Sequence, residues 1–563
     1  MPPVDRIGAA FYTARMSPIT PLSFDSRRSP VLARRGMVAT SQPLASQAGL
    51  GILMAGGNAA DAALAAAAVL NVSEPASTGI GGDCFALYYD ARKRSVSALN
   101  GSGRAPAGLT LDMIERQGLN QDSGLPPEHA HNVTVPGACA GWCDLRDQHG
   151  SLPLSAILAP AIRLAEEGFP VAPLTAHYWE CAVEKLRRAP GGETFTLGGR
   201  APRAGEIFHN PGLARTLRAV AEGGQEAFYH GPIAASIAGA VQAAGGVLTE
   251  QDLAAHISTW EEPLSSTYRG LRVWECPPNG QGLTALLALN VLEGFDLAGQ
   301  DPLSAERWHL MIEALRLAFA DTRWYVADPS RVAVPTAGLL SKAYAAERRA
   351  LIHPGRASLD TRRGTPVSQS GTVYLCAVDG QGNACSFINS NYMSFGTGIV
   401  PRDAGGSWGF ALHNRGNNFV LEAAHPNALA PGKRPYHTII PGLITRADGT
   451  LYAPFGVMGG FMQPQGHVQV AVGLIDDALD PQAALDRGRF CIEPATAGGA
   501  VALEAGLPRE LLAGLAARGH PLTPEVSGFE RGLFGRGQVI RRERDGVLWG
   551  GSDPRADGCA MGF

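Results

Sequence analysis

The residues of this chain that could do chemistry gather in one stretch, Gly371 to Pro401, GTVYLCAVDGQGNACSFINSNYMSFGTGIVP. A Gly-Thr pair heads a strand-like run, 372–378, and a second such run, 384–388, follows across a DGQGN turn. A threonine hydroxyl is a poor nucleophile until a base takes its proton. Cutting the chain before the threonine would supply that base, because the freed α-amine has an unperturbed pKa of about 7.7–8.0. Residue type alone does not single out Thr372, since threonine is common at strand starts.

Other candidates are weaker on bare sequence. Cys139 and Cys143 (CAGWC) could share a helix face, but no second pair or nearby histidine completes a zinc set. The loop EPASTGIGGDCF, 74–85, lets backbone approach a neighbour or ligand, yet it has no GxGxxG for a dinucleotide.

The elements that must position these residues follow from patterning. The first residues, 1–34, read as an irregular leader with no continuous apolar core of a secretory signal. Residues 36–40 are strand-like and 41–54 have helical spacing, closed by Gly56 and Gly57. Asn58 then caps an alanine-rich helix to about Val72 that is apolar nearly all round, so it is expected to be buried. Residues 84–89 and 95–99 read as a hairpin. Helical patterns follow at 138–148, 153–168, 212–222, 232–244, 249–256, 282–293, 304–325 and 341–352. The segment 353–371 has no periodicity and many turn formers. Beyond it strands dominate at 372–378, 384–388, 438–445 and 450–457. Helices near 463–476, 480–488 and 507–518 come next, and strands near 536–541 and 546–550 close the chain. This order predicts α/β layers built by both halves of the chain.

At 563 residues, length alone suggests about three to four domains, a prior that layered α/β proteins often exceed as one unit. A net charge of −4 without basic runs gives no electrostatic reason to expect nucleic acid or a membrane surface. Nine scattered cysteines fit buried free thiols and a cytoplasmic location.

The series TVYLCAVD, DGQGNA and SFGTGIVP resembles the nucleophile-bearing region of the γ-glutamyltransferase (γ-glutamyltranspeptidase) family. The likeness runs on through GGNAADAA (56–63), GIGGD (79–83), VPGACAGW (135–142), PPNGQG (277–282), EALRLAFADTRWYVADP (313–329), GKRPYHTIIP (432–441), GVMGG (456–460) and GGSDPR (550–555). The resemblance implies an α/β, αββα four-layer N-terminal-nucleophile hydrolase fold. It implies a precursor cut between Gly371 and Thr372 into a large subunit, 35–371, and a small one, 372–563, that stay associated. Thr372 would be nucleophile and base in one residue. Gly459 and Gly460 match the family's paired glycines whose N–H groups hold the oxyanion, and Ser390 stands where the family has a second threonine. The resemblance implies no metal and no organic cofactor, a small-molecule amide substrate and no membrane or nucleic-acid partner. A homo-oligomer is left open.

The substrate-recognition positions depart from the family. Asn418, in RGNNF, replaces an acidic residue that binds the substrate α-amine and cannot form that ion pair. His437 and Thr438 replace a serine pair that holds the α-carboxylate, and Tyr392 replaces an asparagine. The carboxylate-binding arginine is matched by Ser102 on alignment, with Arg104 two residues on and Arg415 the other candidate. The span 420–432 is shorter than in members with a lid over the site, which favours hydrolysis over transfer. The expectation is therefore a self-cleaving amidohydrolase or acyltransferase acting on γ-glutamyl amides such as glutathione. The alternatives are an amidase for oxamate- or glutaryl/cephalosporin-type short acid amides, and a non-catalytic paralogue.

Overall fold

The computed structural model describes residues 28–360 and 373–563. Thr372 and Gly371 therefore lie outside the described residues. Two seven-stranded antiparallel sheets form the centre. One runs in the order Cys559–Gly562, Gly36–Thr40, Val373–Asp379, Ala384–Ser390, Asp83–Asp90, Ser95–Gly101, Thr259–Glu261. The other runs Val31–Ala33, Leu548–Ser552, Arg536–Arg542, Leu451–Met458, Gly442–Thr445, Leu271–Glu275, Leu264–Tyr268.

Strand alternation stacks these sheets. Tyr374, Cys376 and Val378 point into a core shared with Leu443, Ile540 and Leu548 of the facing sheet. Val373, Leu375 and Ala377 point the other way, onto the helix Ala59–Ser73. Ile444, Phe455 and Val457 likewise turn outward onto the helices Gly282–Leu292, Ala305–Tyr325 and Met462–Ile475. The result is helix, sheet, sheet, helix, the four layers expected. The strand Val373–Asp379 is the hinge of the architecture, buried at every position between Gly36–Thr40 and Ala384–Ser390.

The helix Ala59–Ser73 is buried along all its 15 residues. Its start is fixed by a reciprocal capping box: Asn58 Oδ1 accepts from the Ala60 and Asp61 amides, and Asp61 accepts from the Asn58 amide at 2.9 Å. Cys139 and Cys143 are buried free thiols on the helix Ala138–His149.

Several expectations need correction. Val31–Ala33, placed in the irregular leader, is an edge strand on Leu548–Ser552. Cys559–Gly562 is a further strand after the two expected to close the chain, and it pairs with Gly36–Thr40. Both pairings join opposite ends of the chain, so no local pattern announces them. The hairpin Leu264–Tyr268/Leu271–Glu275 also escapes the pattern. It turns over Arg269 and Gly270, both at positive φ, and arginine is a rare residue there. The strand expected over 438–445 begins only at Gly442; residues 437 and 438 bend away from the sheet toward the cluster described next.

Candidate active site

Val373 pairs with Asn389, and Ser390 at the end of that strand pairs with Asp83. The three strands thus bring the residue after Thr372, the candidate Ser390 and an aspartate to one end of the sheet. The backbone makes this tight. A Cβ on Gly82 would lie 2.2 Å from the Ser390 carbonyl oxygen, so the loop GIGGD docks only because position 82 is glycine. Gly82→Ala is expected to cost about 1–3 kcal/mol as backbone is forced apart; a denaturation midpoint equal to wild type would contradict this contact.

After Ser390 the chain reverses sharply. The Tyr392 amide donates to Ser390 Oγ at 2.8 Å, and Tyr392 itself sits at φ 73. Such backbone strain in a bulky residue is sustained only where surrounding contacts enforce it. Here the Tyr392 ring lies under the Arg415 guanidinium, 4.5 Å from ring centre to Cζ, and its hydroxyl donates to Asn418 Oδ1 at 2.6 Å.

Asp83 organises the cluster. Its Oδ2 accepts from His413 Nδ1 (3.0 Å), His437 Nε2 (3.0 Å) and Arg415 Nε (3.2 Å). Its Oδ1 accepts from the Gly103 amide at 3.1 Å. Asp83, His413, Arg415 and His437 are all inaccessible to solvent. Burial by itself would raise the Asp83 pKa, but His413 and His437 outweigh it and hold the carboxyl well below the usual range. Burial, with the Arg415 charge, pushes His437 down to about 3. Its Nδ1 accepts from the Ile439 amide at 3.3 Å, so the neutral ring carries its proton on Nε2 and donates to Asp83. Burial also raises the Tyr392 phenol to about 12, leaving it a donor at neutral pH.

Two donors in this cluster have no partner among the described residues. Arg415 uses Nε on Asp83 and Nη1 on Thr438 Oγ1 (2.8 Å), and its buried Nη2 has no hydrogen bond. Asn418, with Oδ1 assigned to the tyrosine hydroxyl, leaves Nδ2 buried and unpaired. Native interiors rarely tolerate such groups without a ligand or water to meet them.

The paired glycines stand where the strand Leu451–Met458 ends and the helix Met462–Ile475 begins. Gly459 has φ 133 and Gly460 φ 58, conformations that favour glycine. Among the described residues neither amide donates to an acceptor. The Tyr374 ring covers Gly456, which sets the end of this strand over the start of Val373–Asp379. Gln281 locks the turn to the Asp83–Arg415 cluster: its Nε2 donates to the Gly460 carbonyl (2.8 Å) and the Thr438 carbonyl (2.7 Å).

Of the expected site residues, the structure brings Ser390, Tyr392, Arg415, Asn418, His437 and Thr438 together and ties Gly459–Gly460 to them. Arg104 is not in the group. Its Nη1 pairs with Asp328 (3.2 Å) and faces the Gly432 carbonyl, in a side chain about a third exposed. Ser102 is likewise occupied, donating to Asn100 Oδ1 at 2.7 Å. Asp83 and Gln281 were not singled out by sequence reasoning, although the motifs GIGGD and PPNGQG contain them. The available signal was a lone acid closing a glycine loop at a strand start.

Residues 45–563 match the family description Gamma-glutamyltranspeptidase. The chain belongs to the γ-glutamyltranspeptidase family. It is 36% identical to a glutathione hydrolase-like proenzyme of Bacillus subtilis, covering 95% of this chain and 99% of that one. It is 34% identical to the oxamate amidohydrolase proenzyme of Klebsiella pneumoniae, over 94% of this chain and 99% of the relative. A cephalosporin acylase from Bacillus halodurans is 47% identical over 99% of both chains, with a TM-score of 0.89. This γ-glutamyltranspeptidase-family chain is accordingly a hydrolase with the N-terminal-nucleophile hydrolase fold. Among its described residues no helix is long and apolar enough to cross a membrane.

Proposed function

We propose that the chain is a self-cleaving amidohydrolase whose acyl pocket takes a short acyl group ending in a carboxylate and lacking an α-amine. The Thr372 hydroxyl attacks the Gly371 carbonyl, and the Gly371–Thr372 C–N bond breaks as the ester forms, which frees the Thr372 α-amine. Water hydrolyses the ester to leave a Gly371 carboxylate and the Thr372 hydroxyl. That amine then takes the hydroxyl proton as Thr372 Oγ1 attacks a substrate amide. The developing oxyanion is held by the Gly459 and Gly460 amides, the proton passes to the departing amine, and water hydrolyses the acyl-Thr372 ester. Ser390 orients the Thr372 amine.

The observation that carries the substrate reading is which polar atoms in the pocket are already used. An α-ammonium needs an anionic or carbonyl acceptor, but Asp83 is filled by four donors and the Asn418 oxygen by Tyr392. The atoms left unpaired among the described residues, Arg415 Nη2 and Asn418 Nδ2, are donors suited to a carboxylate. This favours acyl groups of the glutaryl or oxalyl kind over γ-glutamyl. With one acyl carrier series, kcat/KM for glutaryl- or oxalyl-amides is expected to exceed that for glutathione and γ-glutamyl anilide by about tenfold or more. Glutathione turning over faster would reverse the assignment.

The association of the two fragments after cleavage is supported by interleaving. Each sheet contains strands from both sides of residue 371, and Val373–Asp379 is flanked by Gly36–Thr40 on one edge. Separating the fragments would expose the cores between all four layers.

A further inference from the structure

A cleft of about 1090 Å³ lies beside Gly459 and is not lined by the buried Arg415 cluster. It is far larger than a short acyl group needs, and it is bounded by segments from both proposed subunits. An amide whose carbonyl oxygen rests at Gly459–Gly460, with its acyl half toward Arg415, directs its amine half into this cleft.

Arg536 is the notable wall residue. It pairs with Met458 in strand register, one residue before Gly459, and its neighbour Gly535 packs against Gly459. Its guanidinium lies over the Tyr178 ring at 4.9 Å, and its side chain is only 8% exposed. Among the described residues the nearest acid is Glu74, with Nη1 to Oε1 at 3.6 Å, too long for a hydrogen bond, and the buried Nε has no partner. Lys185, the other cation on the wall, is by contrast engaged with the Ser394 (2.7 Å) and Gly396 (3.1 Å) carbonyls. Glu128, Glu493 and Glu530 also line the cleft, so a second negative charge on the amine half would be repelled.

We infer that this cleft is the leaving-amine site and that Arg536 selects an amine half carrying a single carboxylate, with an apolar body against Met393, Met462 and Phe529. The substrate class is then an N-acyl amino acid or a similar amide of an acidic amine, rather than a simple primary amide. This rests on the amidase reading given above. A planar guanidinium with free N–H groups matches a carboxylate in two-point geometry, and an aromatic ring behind it holds that plane.

The test uses the self-cleaved enzyme and two amides that share an acyl group and differ only in carboxylate versus carboxamide on the amine half. Wild type is expected to favour the carboxylate by about tenfold or more in kcat/KM, mainly through KM. Arg536→Gln should collapse that ratio. Arg536→Lys keeps a charge beside Glu74 and should retain part of it, which separates recognition from misfolding, with self-cleavage and melting temperature as checks. No preference in wild type, or an unchanged ratio in Arg536→Gln, overturns the inference. Failure of self-cleaved enzyme to hydrolyse either amide instead strikes the amidase reading, and this inference with it.

Discussion

Thr372→Ala is expected to leave a single chain of 58.9 kDa, where wild type gives fragments of roughly 39 and 20 kDa by share of length. Amide hydrolysis should fall by at least about a thousandfold, because one side chain would supply both the nucleophile and, once freed, the base. The expectation rests on the described neighbours of Thr372. Val373 starts a fully buried central strand, and Ser390 and Asp83 share its end. Gly459 and Gly460, whose amides have no acceptor among the described residues, stand at the end of the strand that lies over it. Thr372→Ser should still cut, since the hydroxyl is kept. A denaturing gel and N-terminal sequencing of the small fragment read the outcome directly. An intact wild-type chain would refute the proposed chemistry, and fragments beginning elsewhere than Thr372 would move the nucleophile.

Asp83→Asn is expected to destabilise the protein by about 3–5 kcal/mol and to abolish hydrolysis. Removing one partner leaves the Arg415 charge buried without its anion, while the desolvation cost of that charge remains. The same cluster predicts acid lability, and the sign is definite. The Asp83 pKa is depressed in the folded state, so its contribution is complete above its unfolded value of about 3.9 and is lost as pH falls through the folded value. His437 is depressed to about 3 from an unfolded value of about 6.5, so the unfolded chain takes up that proton first. Stability should therefore hold above about pH 6.5 and decline below it, steepening below about pH 4. Chemical-denaturation midpoints measured from pH 8 to pH 3 check this. The variant should begin lower and lack the final steepening. A variant with the wild-type midpoint at pH 7 would show that the aspartate does not hold the cluster.

Much of the fold was readable because its signals are local. Asn58 and Asp61 cap their helix within four residues of sequence, and the alanine run behind them can only be buried. The strands 373–379 and 384–390 are adjacent in sequence and joined by a DGQGN turn, so their pairing is a short-range event. The hairpin Leu264–Tyr268/Leu271–Glu275 escapes the pattern because its turn places an arginine at positive φ, and Val31–Ala33 escapes it because its partner, Leu548–Ser552, lies at the other end of the chain. Arg104 shows the same limit inside the site. Its position two residues past Ser102 suggested an anion binder, but Asp328 is a residue that only folding brings to it.

The sequence by itself determined the kind of reaction to expect. The Gly-Thr pair, the strand behind it and the GVMGG turn are contiguous motifs, and they carry the proposed nucleophile and oxyanion donors largely on backbone. Only the tertiary structure decided which polar atoms of the proposed acyl site are already paired. Asp83 meets Arg415 across 332 residues and His437 across 354, and whether an oxygen can receive a substrate ammonium depends on which donors have already filled it. Sequence alone gives Asn418 both a donor and an acceptor. The Tyr392 hydroxyl, set by the strained turn after Ser390, takes the acceptor and leaves the donor.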